Sequence, residues 1–486
     1  MRNGSFCFCG RRPSGGSANW THRPAKRNLT FPHDAIVPWP PGTRSGTFVV
    51  SQRHGVEPLS DAGVLPGPRE GRSDPGSPQA GAVAGVEGSD PEERARAFHV
   101  DLARFPAALF QFDPRIRAGW LSDRYFVRTI RTLEHADRNP EVTLQFFARR
   151  HGVLAGVNEG IRMLQTQLTN GYDYRDLTVD ALRDGDRIVP WEVALRIRGL
   201  YRGFAHLETT LDGALARRSL IATNAARAVD AAAGVPVIYF APRHDDWRIQ
   251  TPDGYAARVG GGGGVSSDAG ASWWGGEGVG TMPHGLIAAF GGDVVEATLA
   301  FARYVREREP DVPIVSLVDY DNDSVGDSLA VARAMRREFG DGVLFGVRLD
   351  TSEKLVDRAL MDDPDLWGKE SLTGVNPHLV RKVREALDAE DFHYVGIMVS
   401  GGFTPEKIRR FAELGLPIAA FGVGSSILGH GTEADGVVTE FDFTADVVEL
   451  EGAPEAKVGR GLWENPRLIR VDWDLLARLD KEAGND

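Results

Sequence analysis

The residues best suited to chemistry in this chain recur at one kind of place, the ends of short apolar runs. Arg243 follows VPVIYFAP, Asp319 and Asp321 follow VPIVSLV, and Arg348 and Asp350 close GVLFGVRLD. Ser400 ends HYVGIMVS, and Gly422 lies in PIAAFGVGS. Arginine offers a planar donor fork to phosphate or carboxylate, while aspartate accepts from hydroxyls or holds magnesium through water. The set therefore suits a substrate carrying both phosphate and hydroxyl groups. In MVSGGFTPEK, Ser400, Gly401 and Gly402 run straight into a helix start, where free backbone N–H groups hold phosphate. FGVGSS, with Gly422, Gly424, Ser425 and Ser426, repeats that chemistry one strand later, so a shared phosphate cup is expected. No GxxxxGK[ST] occurs, which excludes a P-loop.

His284, in VGTMPHGLIAAF, is the strongest single catalytic candidate. Pro283 and the apolar residues after it predict that His284 begins a helix. Imidazole there suits proton transfer or attack on a phosphate, being nucleophilic when neutral and a fair leaving group once phosphorylated. His244 and His151 read instead as packed histidines. DYDNDSVGD opens like a calcium loop but has Ser324 where glycine is needed and Ala330 where glutamate is needed. Asp319 and Asp321 remain candidates to touch, through water, a magnesium ion brought in with substrate.

These residues need a frame that brings separate strand tips together. The apolar runs alternate with helical material such as PHGLIAAFGGDVVEATLAFARYVRERE, DSLAVARAMRREF, TSEKLVDRAL, NPHLVRKVREALD and TPEKIRRFAEL. Strands buried on both faces and separated by helices call for a parallel sheet, and the absence of a dinucleotide fingerprint favours an irregular α/β barrel. Barrel active sites form at the C-terminal ends of strands, where the polar residues gather. Thr404, Pro405 and Glu406 signal a helix start by side-chain cap, N1 proline and first-turn acid. Before the barrel, VTLQFFA reads as a strand, and HLETTLDGALARRSLIATNAARAVDAAAG as a long helix leading onward.

The expected organisation is a Gly/Pro-rich disordered extension over 1–90 and an N-terminal α/β domain over 91–210. The catalytic barrel spans 211–435, and 436–486 returns to the N-terminal domain. Of the 486 residues, 42% are hydrophobic, and 56 Lys+Arg against 68 Asp+Glu give a net charge of -12. That balance argues against a general nucleic-acid binder. No window reaches about 18 consecutive apolar residues, so no membrane helix is expected, and a cytoplasmic location follows. The 2 cysteines, Cys7 and Cys9, precede the structured part, which excludes a thiol nucleophile or disulfide framework there.

From about Gly119 to Gly459 the chain resembles the nicotinate phosphoribosyltransferase family, in its short archaeal and bacterial form. The stretches that carry this include RYFVRT, HGVLAGVNE, VGTMPHGLI, SLVDYDND, GVRLDTSEKLVD, VSGGFTPEKI, FGVGSSI and FDFTADVVELEGAPEAKVGR. The resemblance implies a type II phosphoribosyltransferase-like fold, an irregular α/β barrel with an α+β domain built from both ends of the structured chain. It implies a homodimer with shared active sites, and transfer of phosphoribose from 5-phosphoribosyl 1-pyrophosphate (PRPP) to nicotinate in NAD biosynthesis. Mg2+ would accompany PRPP, and ATP would be coupled through a phosphohistidine at His284. Arg348 and Asp350 would hold the phosphoribosyl part, and Ser400, Gly401, Gly402, Gly422, Gly424 and Ser425 the phosphate. Phe240 would stack on the pyridine, with Tyr125 or Phe126 of the partner opposite and Arg243 near the carboxylate. The chain departs from the family at Gly263, where an acid is usual and Asp268 is the candidate substitute. It departs also at Gly396, where a lysine is usual, and at Asp245 and Asp246, which add negative charge. Another pyridine acceptor (nicotinamide or quinolinate), or a non-catalytic ligand-binding paralogue, are the alternatives these departures open.

Overall fold

The computed structural model describes residues 90–484 apart from 362, 367, 369 and 370. The disorder expected for 1–90 lies outside the described residues except at Asp90, and both cysteines lie outside them. Along the chain come β1 (Glu141–Ala148), β2 (Gly152–Val153), β3 (Thr178–Ala181), β4 (Arg187–Ile188) and β5 (Val193–Leu200). After a long helix, Glu208–Ala231, follow β6 (Val237–Tyr239), β7 (Gly264–Val265), β8 (Ile314–Leu317), β9 (Leu344–Leu349), β10 (Gly396–Val399) and β11 (Ala420–Val423). The last strands are β12 (Phe443–Leu450), β13 (Ala453–Pro454) and β14 (Ile469–Arg470).

Two six-stranded sheets dominate, with β2 and β4 forming a separate pair. The first sheet runs β13-β12-β1-β5-β3-β14, so strands from both ends of the described chain share it. Its centre is a double antiparallel ladder, with β1 pairing β12 from Val142↔Leu450 to Ala148↔Phe443 and β5 on its other edge. The second runs β7-β6-β11-β10-β9-β8, and every ladder in it is parallel. Its strands are the apolar runs expected to be buried on both faces, IVSL in β8 and AFGV in β11 being buried throughout. Among the described residues no ladder joins β7 to β8, so the curled sheet is a half-barrel, the irregular α/β architecture expected.

Each sheet has its own apolar core, and the helix Glu208–Ala231 serves both. Leu211 and Leu215 on its first turns lie in the core of the antiparallel sheet, while Ile221, Ala225 and Ala228 lie in that of the half-barrel. Its 24 residues span about 36 Å, enough to run along both layers.

Two helix boundaries differ from expectation. The run PHGLIAAFGGDVVEATLAFARYVRERE is two helices, His284–Ala289 and Val294–Arg308. Gly291 and Gly292 separate them with φ of 68° and 92°, a left-handed conformation that glycine adopts without a Cβ penalty. TSEKLVDRAL is mostly loop, with helix only at Arg358–Met361. Asp357 is the cause. Its carboxylate accepts from the Ser324 backbone N–H and hydroxyl and from Ala359 N–H, so it caps two helices rather than extending one.

Candidate active site

The tips of the parallel strands lie side by side. The ladder holds them abreast, since Phe240 N–H donates to Val423 carbonyl at 2.7 Å, Ser400 N–H to Leu349 at 2.9 Å and Val318 N–H to Arg348 at 3.2 Å. Arg348 is the hub. Its guanidinium donates to Thr281 Oγ1 at 2.5 Å and lies 5.8 Å from the centre of the Phe240 ring. Its Nε is buried with no hydrogen-bond partner, a state shared by Arg196, Arg202 and Arg384 elsewhere in the chain. Burial pushes its pKa down while Asp350 and Asp319 hold it up and Arg243 opposes them; the group stays charged.

Next to Arg348, Ser400 Oγ donates to Asp350 Oδ1 at 2.7 Å, fixing the carboxylate. Gly401 and Gly402 take φ of 86° and 62°, so the chain turns sharply over Asp350 and into the helix Pro405–Glu413. Thr404 caps that helix through Lys407 N–H, as its sequence predicts. The second turn abuts the first: Ser426 Oγ donates to Phe403 carbonyl at 2.8 Å. A Cβ on Gly422 would lie 2.7 Å from Phe240 Cε2, and one on Gly424 3.0 Å from His244 Nε2. At Gly422 glycine leaves the space that the Phe240 ring takes, and a side chain at Gly424 would require the exposed His244 ring to shift. Ser425, next in the chain, is half-buried.

His284 begins its helix, and its Nε2 lies 3.1 Å from Asp319 Oδ1. That hydrogen bond raises the imidazole pKa against the opposing effect of burial, with the charges of Asp319 and Asp350 adding to it and Arg348 subtracting. Asp319 and Asp321 part company. The Asp319 side chain is 6% exposed and turned to His284, whereas Asp321 is exposed beside Asp323, which caps the helix Ser324–Phe339. Among the described residues no group of three or more His, Cys, Asp or Glu could hold a metal ion.

Several charges near the cleft are neutralised. Asp245 pairs with Arg217 at 2.8 Å and Asp246 with Arg248 at 2.7 Å. Asp268 Oδ1 accepts from Gly278 N–H at 2.9 Å, so it ties down a loop of its own instead of reaching toward Gly263. Gly396 opens β10, about 13 Å along the strand from Ser400, and a Cβ there would sit 3.0 Å from Ala419 Cβ. Arg243 is exposed at the mouth. Phe126 is buried at 7% exposure, while Tyr125 stands 59% exposed, so only the tyrosine is presented outward.

Sequence reasoning missed Thr281, which anchors Arg348, and passed over His244 as a packed histidine. His244 is exposed, and burial, Arg243 and His430 together lower its pKa. The motif carrying His284 contains Thr281, but nothing in the spacing says that its hydroxyl meets a strand 67 residues away.

A family model for the quinolinate phosphoribosyl transferase N-terminal domain matches residues 123–219. The structure of nicotinate-nucleotide pyrophosphorylase from Pyrococcus furiosus is 31% identical, with TM-score 0.59, over 75% of this chain and 85% of that one. Human nicotinic acid phosphoribosyltransferase shares the fold at 19% identity and TM-score 0.50, over 69% of this chain and 75% of that one. Nicotinate phosphoribosyltransferase pncB1 of Mycobacterium tuberculosis is 27% identical over 371 residues, 70% of this chain and 74% of the relative. A half-barrel with a buried arginine and two glycine turns at its strand tips is thus the framework of a phosphoribosyltransferase of pyridine-nucleotide metabolism. Within that class, the chain belongs to the quinolinate phosphoribosyl transferase (nicotinate-nucleotide pyrophosphorylase) family. The resemblance to the nicotinate phosphoribosyltransferase family is corrected by the matched domain and by the Pyrococcus furiosus structure. Of the stretches quoted for it, SLVDYDND, GVRLDTSEKLVD, VSGGFTPEKI and FGVGSSI lie on the half-barrel, whereas RYFVRT, HGVLAGVNE and FDFTADVVELEGAPEAKVGR lie outside it.

Proposed function

We propose that this chain transfers the 5-phosphoribosyl group of PRPP to quinolinate, forming nicotinate mononucleotide with release of pyrophosphate and carbon dioxide. The observation that carries this reading is the buried, partly unsatisfied Arg348 beside Phe240, with Arg243 and His244 on the same side of the cleft. A flat ring bearing two adjacent carboxylates needs an aromatic face and more than one cation. Mutual repulsion among Arg243, His244 and His430 is relieved by a dianion. Asp350, oriented by Ser400, accepts from ribose hydroxyls, and the glycine turns donate N–H groups to the 5-phosphate. As pyrophosphate leaves, positive character grows on the anomeric carbon, and the ring nitrogen, steered by Phe240 and Arg348, attacks it. Carbon dioxide then leaves C2 of the pyridinium, and a proton takes its place.

Magnesium would arrive with PRPP and screen the pyrophosphate. The chain's own described residues do not form a resident metal site, and Asp319, turned to His284, is the nearer of the two acids considered for it. Tyr125, exposed at the start of the helix Arg124–His135, is the side chain offered to a second subunit, and a homodimer with shared sites is part of this reading.

Nicotinate is the second reading, favoured by the His284–Asp319 pair, which suits an imidazole phosphorylated by ATP. The test is pyrophosphate release from PRPP and Mg2+ with quinolinate, nicotinate or nicotinamide, with and without ATP. Turnover with quinolinate, independent of ATP and matched by carbon dioxide release, supports the first reading. Turnover with nicotinate alone replaces it with the second, and His284→Ala retaining ATP stimulation would then reject the phosphohistidine. No turnover with any base leaves a ligand-binding paralogue.

A further inference from the structure

The first glycine turn has a cation beneath it that neither the spacing of the motifs nor the residues discussed so far account for. Lys407 sits in the first turn of the helix Pro405–Glu413, and its Nζ reaches back to donate to Gly401 carbonyl at 3.4 Å. The ammonium also lies 4.4 Å from the centre of the Phe403 ring. The proline at N1 and the Thr404 cap hold the helix end rigid, so the lysine stem is directed along the turn and not into solvent. Burial pushes its pKa down, and the carboxylate of Glu353 is what counters that burial.

Glu353 belongs to the loop that replaces the expected helix after Asp350. Its carboxylate lies so close to Gly402 that a Cβ there would overlap Oε1. An anion therefore already rests on the turn that the preceding reading assigns to the 5-phosphate. A carboxylate over left-handed glycines and near a half-buried lysine has the charge, though not the full hydrogen-bonding capacity, of a phosphate.

Resting on the reading given above, we propose that Lys407 is the side-chain cation of the 5-phosphate cradle, and that Glu353 occupies this cradle until phosphate displaces it.

Calorimetric binding of inorganic phosphate and ribose 5-phosphate to the intact chain tests this without requiring turnover, with PRPP kinetics measured in parallel. Lys407→Ala is expected to weaken both ligands and raise KM for PRPP roughly 10- to 100-fold, the size of a lost charge-assisted hydrogen bond. Lys407→Arg restores part of the loss, and KM for the pyridine base stays unchanged. Glu353→Gln, which removes the competing charge, tightens phosphate binding. Unchanged phosphate affinity in a folded Lys407→Ala variant overturns the proposal, as does weaker binding in Glu353→Gln. If no base supports turnover but phosphate binding still depends on Lys407, the transferase reading fails and the cradle stands.

Discussion

At the scale of single residues, two side chains of the candidate site are held in states that water alone would not favour. Arg348 is a cation whose Nε has no partner, and its planar fork is aimed by Thr281. Arg348→Lys keeps the charge and loses the fork, so kcat/KM is expected to fall roughly 10- to 100-fold with little change in unfolding midpoint. A smaller loss in steady-state assays would mean that charge alone suffices. His284 is raised by Asp319 above its ordinary 6.5. The pair therefore contributes stability that is fully present below 6.5 and lost as pH rises through the higher folded value. Asp319→Asn should move the His284 titration to lower pH, followed by NMR of the ring protons; an unmoved titration would show that the pair is not formed in solution. The arginine and the histidine were both visible as strand-end or helix-start residues. Thr281 and Lys407 were not, because what matters in each is the direction of a side chain across a turn.

Elements keep these residues in place, and one buried ion pair secures several at once. Arg162, 1% exposed on the helix Val157–Thr166, donates to Asp480 through both terminal nitrogens at 2.7 Å. It also donates to the Leu102 and Phe105 carbonyls, so the first helix, Pro91–Ala103, and the last, Trp473–Glu482, are tied through it. Arg162→Leu strands Asp480 and leaves two carbonyls bare, with an expected loss of about 3–5 kcal/mol in urea unfolding. A cost under 1 kcal/mol, roughly that of an exposed pair, would show the ends are held by apolar packing alone. Helices with a cap and a regular apolar face were legible from sequence, as in Pro405–Glu413. TSEKLVDRAL was misleading because its pattern suits a helix, while Asp357 is drawn away to cap Ser324.

For the whole molecule, the question is how the antiparallel sheet and the half-barrel are coupled. Asp184, in the turn between β3 and β4, accepts from Val157 N–H at 2.7 Å and from Tyr255 hydroxyl at 2.9 Å. Tyr255 belongs to the helix Gln250–Val259 of the half-barrel and also accepts from Asn158 at 3.1 Å. Burial pushes Asp184 from 3.8 up to about 7. Below 3.8 the group is protonated in both folded and unfolded chains; between 3.8 and about 7 the unfolded chain loses the proton first. Stability should fall through that window and level off above it. Asp184→Asn, measured by urea unfolding across pH, is expected to flatten the fall; an unchanged slope would assign it to other carboxyls.

What the amino-acid order determined by itself was local: which runs are strands buried on both faces, where helices start, and which chemically capable residues end each run. Those follow from periodicity, capping and backbone preference, all acting over a few residues. The half-barrel class was legible for the same reason, since alternating apolar strands and helices admit few other packings. Only the tertiary structure decided that Arg348 meets Thr281 and Phe240, that Asp245 is quenched by Arg217, and that a lysine stands under the Gly401 turn. These contacts join residues distant in sequence through side-chain directions that the closing sheet sets. The acceptor base lay beyond the motifs as well, because a glycine turn at a strand tip says nothing of the ring beside it.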